Sequence, residues 1–302
     1  MPLDLRLLRY VIAVADTKNI SRAAERLHMQ QPPLTQQIRA LEAELGVSLF
    51  HRLPRGVEPT EAGRALVEEA RAIVARAANL PAVAQRAARG EEGRLAIGFT
   101  SSAAFHPFVT RAIRGFRQAW PGVALVLEED STGDLARALR EERLDAVFVR
   151  SSAGGTPDLL VEPLLTEEML AVFPRGHRLA RAKTVTLAAL AHETFVLYRR
   201  PSGPGLYDAI IAACRAAGFS PTIGQEAPRL PSTLSLVGAG LGVSLVPASM
   251  RRLNTEAVAY ARLTGAKGLT APLLLATRRG DRSAAVRQFR EQVKKTPGAD
   301  GP

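Results

Sequence analysis

The chain is poor in cysteine and in aromatic residues, and these shortages exclude several kinds of protein. A single cysteine, Cys214, among 302 residues excludes an internal disulfide framework and a cysteine zinc site, and it suits a reducing compartment. Aromatic residues make up 5%, hydrophobic residues 46% and charged residues 23%, close to the average for globular proteins, which excludes disordered and fibrous chains. The length predicts two domains, or two with a small appendage.

Acidic residues are outnumbered by basic ones. There are 29 Asp and Glu against 40 Lys and Arg, so the net charge is +11, which favours a polyanionic partner. Residues 1–60, however, hold eight basic and six acidic side chains and thus a net charge of +2. Charge alone therefore does not locate a nucleic-acid site.

The sequence lacks a secretion signal and a membrane span. Asp4, Arg6 and Arg9 leave residues 10–15 as the apolar core at the amino terminus, which is too short for a signal peptide. Residues 230–250 carry no charge, but two prolines and three glycines interrupt them and predict a helix, a turn and a strand. We expect a cytoplasmic protein without a membrane partner.

Signals of catalysis and of metal binding are also missing. The five histidines show no ligand spacing and are expected to be structural or on the surface. No Gly-x-Ser-x-Gly elbow exists, and the glycine-rich residues 238–242 follow a predicted helix and precede a strand, the reverse of a dinucleotide fingerprint. We expect no enzyme, no metal and no cofactor.

Three helices are predicted in the first 46 residues. Residues 4–15 have apolar positions at helical spacing, a second short helix is expected to be capped by Ser21, and residues 28–31 form a turn. A third helix starts with a proline pair and ends at Gly46. Its expected buried stripe is Leu34, Ile38, Leu41 and Leu45. This order is typical of a helix-turn-helix.

The other face of the third helix carries Thr35, Gln36 and Arg39, with Gln31 at its entry. Gln can bond bidentately to adenine, Arg can bond guanine or a phosphate, and the methyl group of Thr can touch a thymine methyl. Polar residues on any helix can also be a solvated face, and one helix does not decide between these interpretations.

A short hairpin is predicted after the third helix. Residues 47–53 are largely apolar, and Arg52 and Arg55 flank a Pro and precede Gly56. Such a two-stranded wing would place its basic tip against the sugar-phosphate backbone. A helix-turn-helix with a basic wing is a much more specific pattern than either part alone.

A long helix is predicted from Thr60. It has apolar residues at alternating spacings of four and three, namely Leu66, Ala70, Ile73, Ala77, Leu80, Ala84 and Ala87. This heptad pattern favours a coiled-coil contact with a second copy of the chain, although the helix could instead pack on its own domain. Pro81 is expected to kink the helix or to end its straight part.

The first 63 residues resemble the winged helix-turn-helix of LysR-type transcriptional regulators. The matching segments are SRAAERL at 21–27, QPP at 31–33 and LEAELG at 41–46, together with Leu49-Phe50, Arg52, Gly56, Thr60 and Gly63. The resemblance implies major-groove contacts by Gln31, Pro32, Pro33, Thr35, Gln36 and Arg39, and backbone or minor-groove contacts by Arg52 and Arg55. Two positions depart from the family, since many members have Ser or Thr at Gln30 and Arg at Gln36.

The second part of the chain alternates strands and helices after a Gly- and Glu-rich hinge at 90–93. Strands are predicted at 94–100, 123–130, 144–150, 168–173, 194–198, 222–226, 243–247 and 273–278, and helices at 105–119, 133–143, 205–217, 231–240 and 284–295. The alternation predicts an α/β fold with parallel strands joined by crossovers. Ligands bind to such sheets at the carboxyl ends of the strands.

Hydroxyl residues follow two of these strands. Thr100, Ser101 and Ser102 come after the first strand and Thr132 opens a helix, so hydroxyls and free N–H groups could hold a carboxylate without a buried cation. Ordinary helix capping by these residues is the alternative. Arg150 could be a cation on the ligand side or a partner for an acidic residue at the strand end.

The same half of the chain is similar to the two-lobed, periplasmic-binding-protein-like effector domain of the LysR family, above all to regulators of aromatic and chloroaromatic degradation. The matching segments are GFTSS, FVLYRRPSGPG and GVSLVPAS. The resemblance implies a pocket lined by Ser102, Thr132, Pro204, Gly205 and Leu206. It also implies an aromatic or dicarboxylic acid effector.

The expected fold is α/β with an all-α amino-terminal part. Its expected parts are a winged helix-turn-helix at 1–60, a linker dimerisation helix at 61–89, effector subdomain I at 94–163 with 268–302, and effector subdomain II at 164–267. The expected function is a transcription factor that binds double-stranded promoter DNA, a small carboxylate effector, itself as a dimer or tetramer, and RNA polymerase. The alternatives are a regulator of an unrelated metabolite and a solute-binding or enzymatic α/β protein.

Overall fold

The computed structural model describes residues 4–151, 157–202 and 204–298. The chain forms two compact units, Met1–Gln85 and Arg86–Pro302. No helix within the described ranges is long and apolar enough to cross a membrane.

The first unit is a three-helix core followed by a hairpin. Its elements are α1 (Leu5–Thr17), α2 (Ile20–Arg26), α3 (Gln31–Leu45), β1 (Phe50–Leu53) and β2 (Gly56–Pro59). The helix α1 begins after Asp4, whose carboxylate accepts hydrogen bonds from the backbone N–H groups of Arg6 and Leu7. As predicted, α3 ends at Gly46, where φ is 69°. The apolar faces meet in one core that includes Val11, Ala23, Leu34, Ile38, Leu41 and Leu49.

Two predictions for this unit are wrong in detail. Ser21 does not cap α2, because the helix already begins at Ile20 and the side chain of Asn19 accepts a hydrogen bond from the N–H of Arg22. Leu45 does not belong to the buried stripe, because it lies in the last turn of α3, beyond the core, where it is 44% exposed.

The long helix α4 (Glu61–Ala88) continues through Pro81. The helix does not end at this proline, since α4 extends for almost two further turns beyond it. A proline removes one backbone donor and so frees the carbonyl group of Ala77. Because Pro81 lies on an exposed part of the helix, water can replace the missing bond.

The second unit contains ten strands and six α-helices within the residues that the structure describes. The strands are β3 (Gly93–Phe99), β4 (Val123–Glu129), β5 (Ala146–Val149), β6 (Leu159–Pro174), β7 (Thr184–Thr186), β8 (Thr194–Tyr198), β9 (Thr222–Ala227), β10 (Ser244–Pro247), β11 (Val258–Thr264) and β12 (Thr270–Arg278). The helices are α5 (Ser101–Ala104), α6 (Pro107–Ala119), α7 (Thr132–Arg140), α8 (Pro204–Ala216), α9 (Leu230–Gly238) and α10 (Ala284–Lys295).

The main sheet is mixed, and the expectation of a parallel sheet is wrong for its central part. The strand order is β4-β3-β5-β12-β6-β11-β7, with β10 also paired to β6, and β8 and β9 form a separate parallel pair. The strand β3 pairs in parallel with β4 and β5, whereas β12 pairs antiparallel with both β5 and β6. The antiparallel pairing arises because β6 and β12 extend through both halves of the unit and run in opposite directions.

Two lobes, each with its own core, lie at the two ends of β6 and β12. Lobe I contains β3–β5, α5–α7 and α10, and its core includes Phe116, Phe148 and Phe289. Lobe II contains β7–β11, α8 and α9, and its core includes Phe173 and Phe195. The two long strands connect the lobes, and the carboxyl ends of β3, β5 and β8 lie where the lobes meet.

Candidate DNA-binding surface and ligand cavity

The helix α3 separates a buried apolar face from an exposed polar face. Leu34, Ile38 and Leu41 are buried in the core of the first unit. On the other side, the exposed predicted residues are Gln31, Pro32, Pro33, Gln36 and Arg39. Thr35 is half-buried, and its hydroxyl donates a hydrogen bond of 3.0 Å to the carbonyl oxygen of Gln31. The side chains that the sequence predicts to contact bases are thus presented together on one face.

The amino terminus of α3 has no side-chain cap. Gln30 occupies the cap position in an extended conformation and makes no capping hydrogen bond. Because Pro32 and Pro33 have no N–H groups, the first turn leaves few donors to cap.

Hydrogen bonds fix the wing against the helices. One carboxylate oxygen of Glu42 in α3 accepts bonds from the N–H groups of Leu49 at 2.7 Å and Phe50 at 3.2 Å. The N–H of Val57 donates a bond of 2.9 Å to the carbonyl oxygen of Lys18 at the end of α1.

The approach of the wing to α1 requires a glycine. Gly56 has a φ of 103°, and a Cβ atom there would lie 2.4 Å from the carbonyl oxygen of Lys18. Arg52 on β1 and Arg55 at the tip of the hairpin are both exposed. The wing therefore holds two exposed guanidinium groups at a fixed position relative to α3.

The heptad residues of α4 divide into two groups. Leu66 packs against the core of the first unit, and Ala70 is fully buried. Ile73 and Leu80 are 43% and 63% exposed, and Ala77 between them is half-buried. The apolar surface of α4 beyond Ala70 is therefore not packed against other described residues of the chain.

A cavity of about 30 Å³ lies between the two lobes of the second unit. Its lining is rich in hydroxyl groups and comprises Thr100, Ser101, Ser102, Thr132, Arg150, Ser151, Tyr198, Leu206 and Leu230. Lobe I supplies Thr100 directly after β3, the hydroxyl residues of α5 and α7, and the two residues after β5. Lobe II supplies Tyr198 and the two leucines. The structure therefore brings together five of the seven predicted effector residues.

The remaining two predicted residues differ from the other five. The side chain of Pro204 lies outside the described residues. Gly205 does not line the cavity but faces Ser151, and a Cβ atom at position 205 would lie 2.2 Å from the Cβ of Ser151. Gly205 therefore permits a close approach of the two lobes.

Three helices begin at this cavity. Thr132, Leu206 and Leu230 lie in the first turns of α7, α8 and α9, which have 9, 13 and 9 residues. The amino termini of helices carry free N–H groups and the positive end of the helix dipole. They therefore favour a negatively charged group in the cavity.

Helix capping does not account for the buried hydroxyl group of Thr100. Thr100 occupies the cap position of α5, yet its side chain makes no capping bond. Its Oγ1 atom is buried and has no hydrogen-bond partner among the described residues. At α7 the cap is Ser131, whose hydroxyl accepts a bond from the N–H of Asp134, and not Thr132. A buried hydroxyl without a partner is energetically unfavourable unless a ligand or water satisfies it.

Arg150 adds a positive charge to the cavity, which corrects the expectation that a carboxylate would be held without a buried cation. The side chain is 4% exposed, and its Nη2 lies 2.6 Å from Oε1 of Glu167 and 3.0 Å from the carbonyl oxygen of Ser102. Its Nε has no partner among the described residues. Burial lowers the pKa of Arg150, while the charge of Glu167 opposes this shift. Arg150 is thus both an ion-pair partner and a cavity residue.

Tyr198, Ser151 and Leu230 are cavity residues that the sequence analysis missed. Tyr198 is the last residue of β8, and Ser151 follows β5. Both therefore lie at the carboxyl ends of strands, which is the feature from which the sequence predicted Thr100. Burial raises the pKa of Tyr198, which keeps its phenol protonated. No group of three or more His, Cys, Asp or Glu residues in the described ranges is placed to hold a metal ion.

Both units match known families. Residues 5–64 match the bacterial regulatory helix-turn-helix proteins of the lysR family, and residues 88–297 match the LysR substrate binding domain. A winged helix-turn-helix followed by a two-lobed α/β unit with a hydroxyl-rich cavity defines a one-component transcriptional regulator.

Similar proteins match over almost their whole length. The chain is 38% identical to the HTH-type transcriptional regulator YnfL of Escherichia coli (strain K12) over 96% of this chain and 97% of that protein. It is 37% identical to the HTH-type transcriptional regulator BudR of Raoultella terrigena over 96% of this chain and 99% of that protein. The crystal structure of full-length CbnR in complex with its target DNA matches with a TM-score of 0.76 and 29% identity, over 97% of this chain and 99% of that one. The chain therefore belongs to the LysR family and is a DNA-binding transcriptional regulator.

Proposed function

We propose that the chain binds its promoter through the exposed face of α3 and the wing. Gln31, Pro32, Pro33, Thr35, Gln36 and Arg39 would enter the major groove, and Arg52 and Arg55 would contact the flanking backbone or minor groove. The joint exposure of these residues on a helix fixed to its wing supports this proposal most strongly. The similarity to CbnR, which is solved in complex with its target DNA, gives further support.

Promoter binding is tested by fluorescence anisotropy with the upstream DNA of the protein's own gene and with random fragments. Loss of a base contact in Arg39→Ala should weaken specific binding by about 1–3 kcal/mol. Loss of a phosphate contact in Arg52→Ala should weaken binding to all DNA sequences alike. It should also reduce, by about 1, the slope of the logarithm of the binding constant against the logarithm of the salt concentration. Arg117→Ala, which removes an exposed arginine of α6, serves as the control. Equal affinity of the wild type for random DNA would contradict the proposal.

The proposal includes self-association through α4. Ile73, Ala77 and Leu80 would pack against the same residues of a second copy, and Leu66 and Ala70 would support the helix from within the first unit. The exposed surface of Ile73 and Leu80 supports this contact.

Sedimentation velocity tests the self-association. Leu80→Asp places a charge in the apolar contact and should shift the protein towards smaller species. Leu5→Asp, at an exposed leucine of α1, should not change its size. A wild-type monomer, or an assembly that Leu80→Asp leaves intact, would contradict the contact.

The second unit would sense a small carboxylate in the cavity between its lobes. The unpartnered Oγ1 of Thr100 and Nε of Arg150 and the three helix amino termini support this part of the proposal. Binding would favour the closed arrangement of the lobes and so change how the paired DNA-binding units engage the promoter and RNA polymerase. We propose a regulatory role for this cavity and no catalytic one.

A further inference from the structure

We propose that the cavity between the lobes selects a short aliphatic monocarboxylate of two or three carbons, and not an aromatic or dicarboxylic acid. This inference rests on the proposed function, because it concerns the ligand of the same cavity. It is carried by the size of the cavity, the contacts that close it and the balance of its charges.

The cavity is small in the arrangement of the lobes that the structure shows. Its volume is about 30 Å³. A single buried water needs about 10–15 Å³, and an engineered apolar cavity that binds benzene measures about 150 Å³. The cavity therefore has room for two or three water-sized groups, which favours the smallest carboxylates. A benzene ring does not fit unless the lobes separate.

The lobes approach each other directly around this cavity. Arg229, which precedes α9 in lobe II, places its Nη1 2.7 Å from Oε1 of Glu129 at the end of β4 in lobe I. Gly205 leaves no space for a side chain against Ser151. The lobes are thus in direct contact through this ion pair and at Gly205 and Ser151.

The two leucines determine which end of a ligand each lobe receives. Leu206 and Leu230 are each 4% exposed and come from lobe II, whereas Arg150 and the hydroxyl groups of Thr100 and Ser102 come from lobe I. A carboxylate would therefore face lobe I, and a methyl or ethyl group would pack against the leucines of lobe II.

The charge balance favours a single carboxylate. Arg150 is the one charged residue among those that line the cavity in the described part of the chain, and its Nη2 is also paired with Glu167. One carboxylate could accept bonds from the unpartnered Arg150 Nε and Thr100 Oγ1 and lie near three helix amino termini. A second carboxylate on the side of the leucines would have no counter-charge, which is strongly unfavourable.

The test measures the melting temperature of the full chain with acetate, propionate, succinate, benzoate and cis,cis-muconate, each against chloride at equal ionic strength. A ligand of the folded state raises the melting temperature by mass action. We expect acetate or propionate to raise it by roughly 2–6 °C when well above the dissociation constant. The three larger acids should shift it no more than chloride does.

Two variants link the effect to this cavity. Thr100→Val keeps the shape of the side chain but removes the unpartnered hydroxyl. It should weaken the binding of acetate or propionate by at least about tenfold. Leu206→Ala enlarges the apolar end and should allow benzoate to raise the melting temperature. Leu187→Ala, a fully buried leucine of lobe II that does not line the cavity, controls for the general effect of a core truncation.

The outcomes separate this inference from the proposed function. A short-acid shift that Thr100→Val weakens, with benzoate binding gained in Leu206→Ala, supports both. A shift of the wild type by benzoate, muconate or succinate that Thr100→Val weakens would overturn the inference on size and charge and leave the cavity as the effector site. A shift that Thr100→Val does not weaken, or no shift with any acid, would overturn both this inference and the proposal that the cavity senses a small carboxylate.

Discussion

The two candidate sites of this protein are built in opposite ways. The predicted DNA-contacting residues lie exposed on one helix and one hairpin, close together in the sequence. The cavity residues are mostly buried and come from seven elements or loops between residues 100 and 230. An exposed surface tolerates substitution at small cost to the fold, whereas a buried polar site is part of the core that surrounds it. The three predictions below test this contrast.

The largest effect is expected at the buried ion pair. Arg150→Met leaves the carboxylate of Glu167 without its counter-charge and should destabilise the second unit by about 3–5 kcal/mol. Urea unfolding measures this loss, and Arg117→Ala on the exposed surface of α6 serves as the control. The double variant Arg150→Met/Glu167→Gln should recover part of the stability, because it removes both charges. If Arg150→Met were as stable as the wild type, the buried cavity would tolerate substitution as well as the exposed surface does, and the contrast between the two sites would not hold.

A smaller effect is expected at the wing. Gly56→Ala introduces a Cβ atom against the carbonyl oxygen of Lys18 at a φ of 103°, which should cost about 1–3 kcal/mol in the first unit and displace Arg52 and Arg55. Gly46→Ala has a φ of 69° with no atom near the new Cβ, and it should cost less, about 1 kcal/mol. Thermal unfolding and DNA affinity check both variants. Equal losses would show that the approach of the wing to α1 is unimportant.

The smallest effect is a pH dependence of the second unit. Burial lowers the pKa of His106 below its ordinary value of 6.5, although the charge of Glu167 opposes the shift. The neutral Nδ1 accepts the hydrogen bond that caps α6, from the N–H of Phe108 at 3.1 Å. Because the unfolded chain takes up this proton first, stability should fall as the pH drops from 7 through 6.5 towards the lower pKa of the folded state.

Substitutions separate His106 from other titrating groups. His106→Asn keeps an acceptor for the cap without a titrating ring and should flatten the decrease between pH 7 and 5, as measured by urea unfolding at each pH. His192→Gln, at an exposed histidine, should leave the decrease in place. An unchanged profile in His106→Asn would assign the pH dependence to other groups.

Much of the first unit was predictable because its signals are local. The stripe Leu34, Ile38 and Leu41, the end of α3 at Gly46 and the hairpin all follow from spacing over a few residues. The errors at Ser21 and Leu45 concern helix ends, where one residue of shift changes the role of a side chain. Periodicity alone left open whether Pro81 kinks α4 or ends its straight part.

The cavity was predictable in part. Strand ends identified Thr100, Ser101, Ser102 and Thr132, and family resemblance added Leu206. Tyr198 and Leu230 were missed because they come from the other lobe, and their approach depends on strands that the sequence did not reveal. The first half of β6 is mostly half-buried and lacks a regular alternation, and the sequence predicted a strand only at 168–173.

The sequence by itself determined the order of the elements, the polar and apolar faces of α3, the basic wing and the family. These depend on periodicity, turn residues and motifs within short segments, which the chain specifies locally. The tertiary structure alone decided that Arg150 pairs with Glu167 at the cavity, that the Thr100 hydroxyl has no partner among the described residues, and that the cavity beside them measures about 30 Å³. These features depend on distances between residues far apart in the chain, which are fixed when the cores of the two lobes pack around β6 and β12.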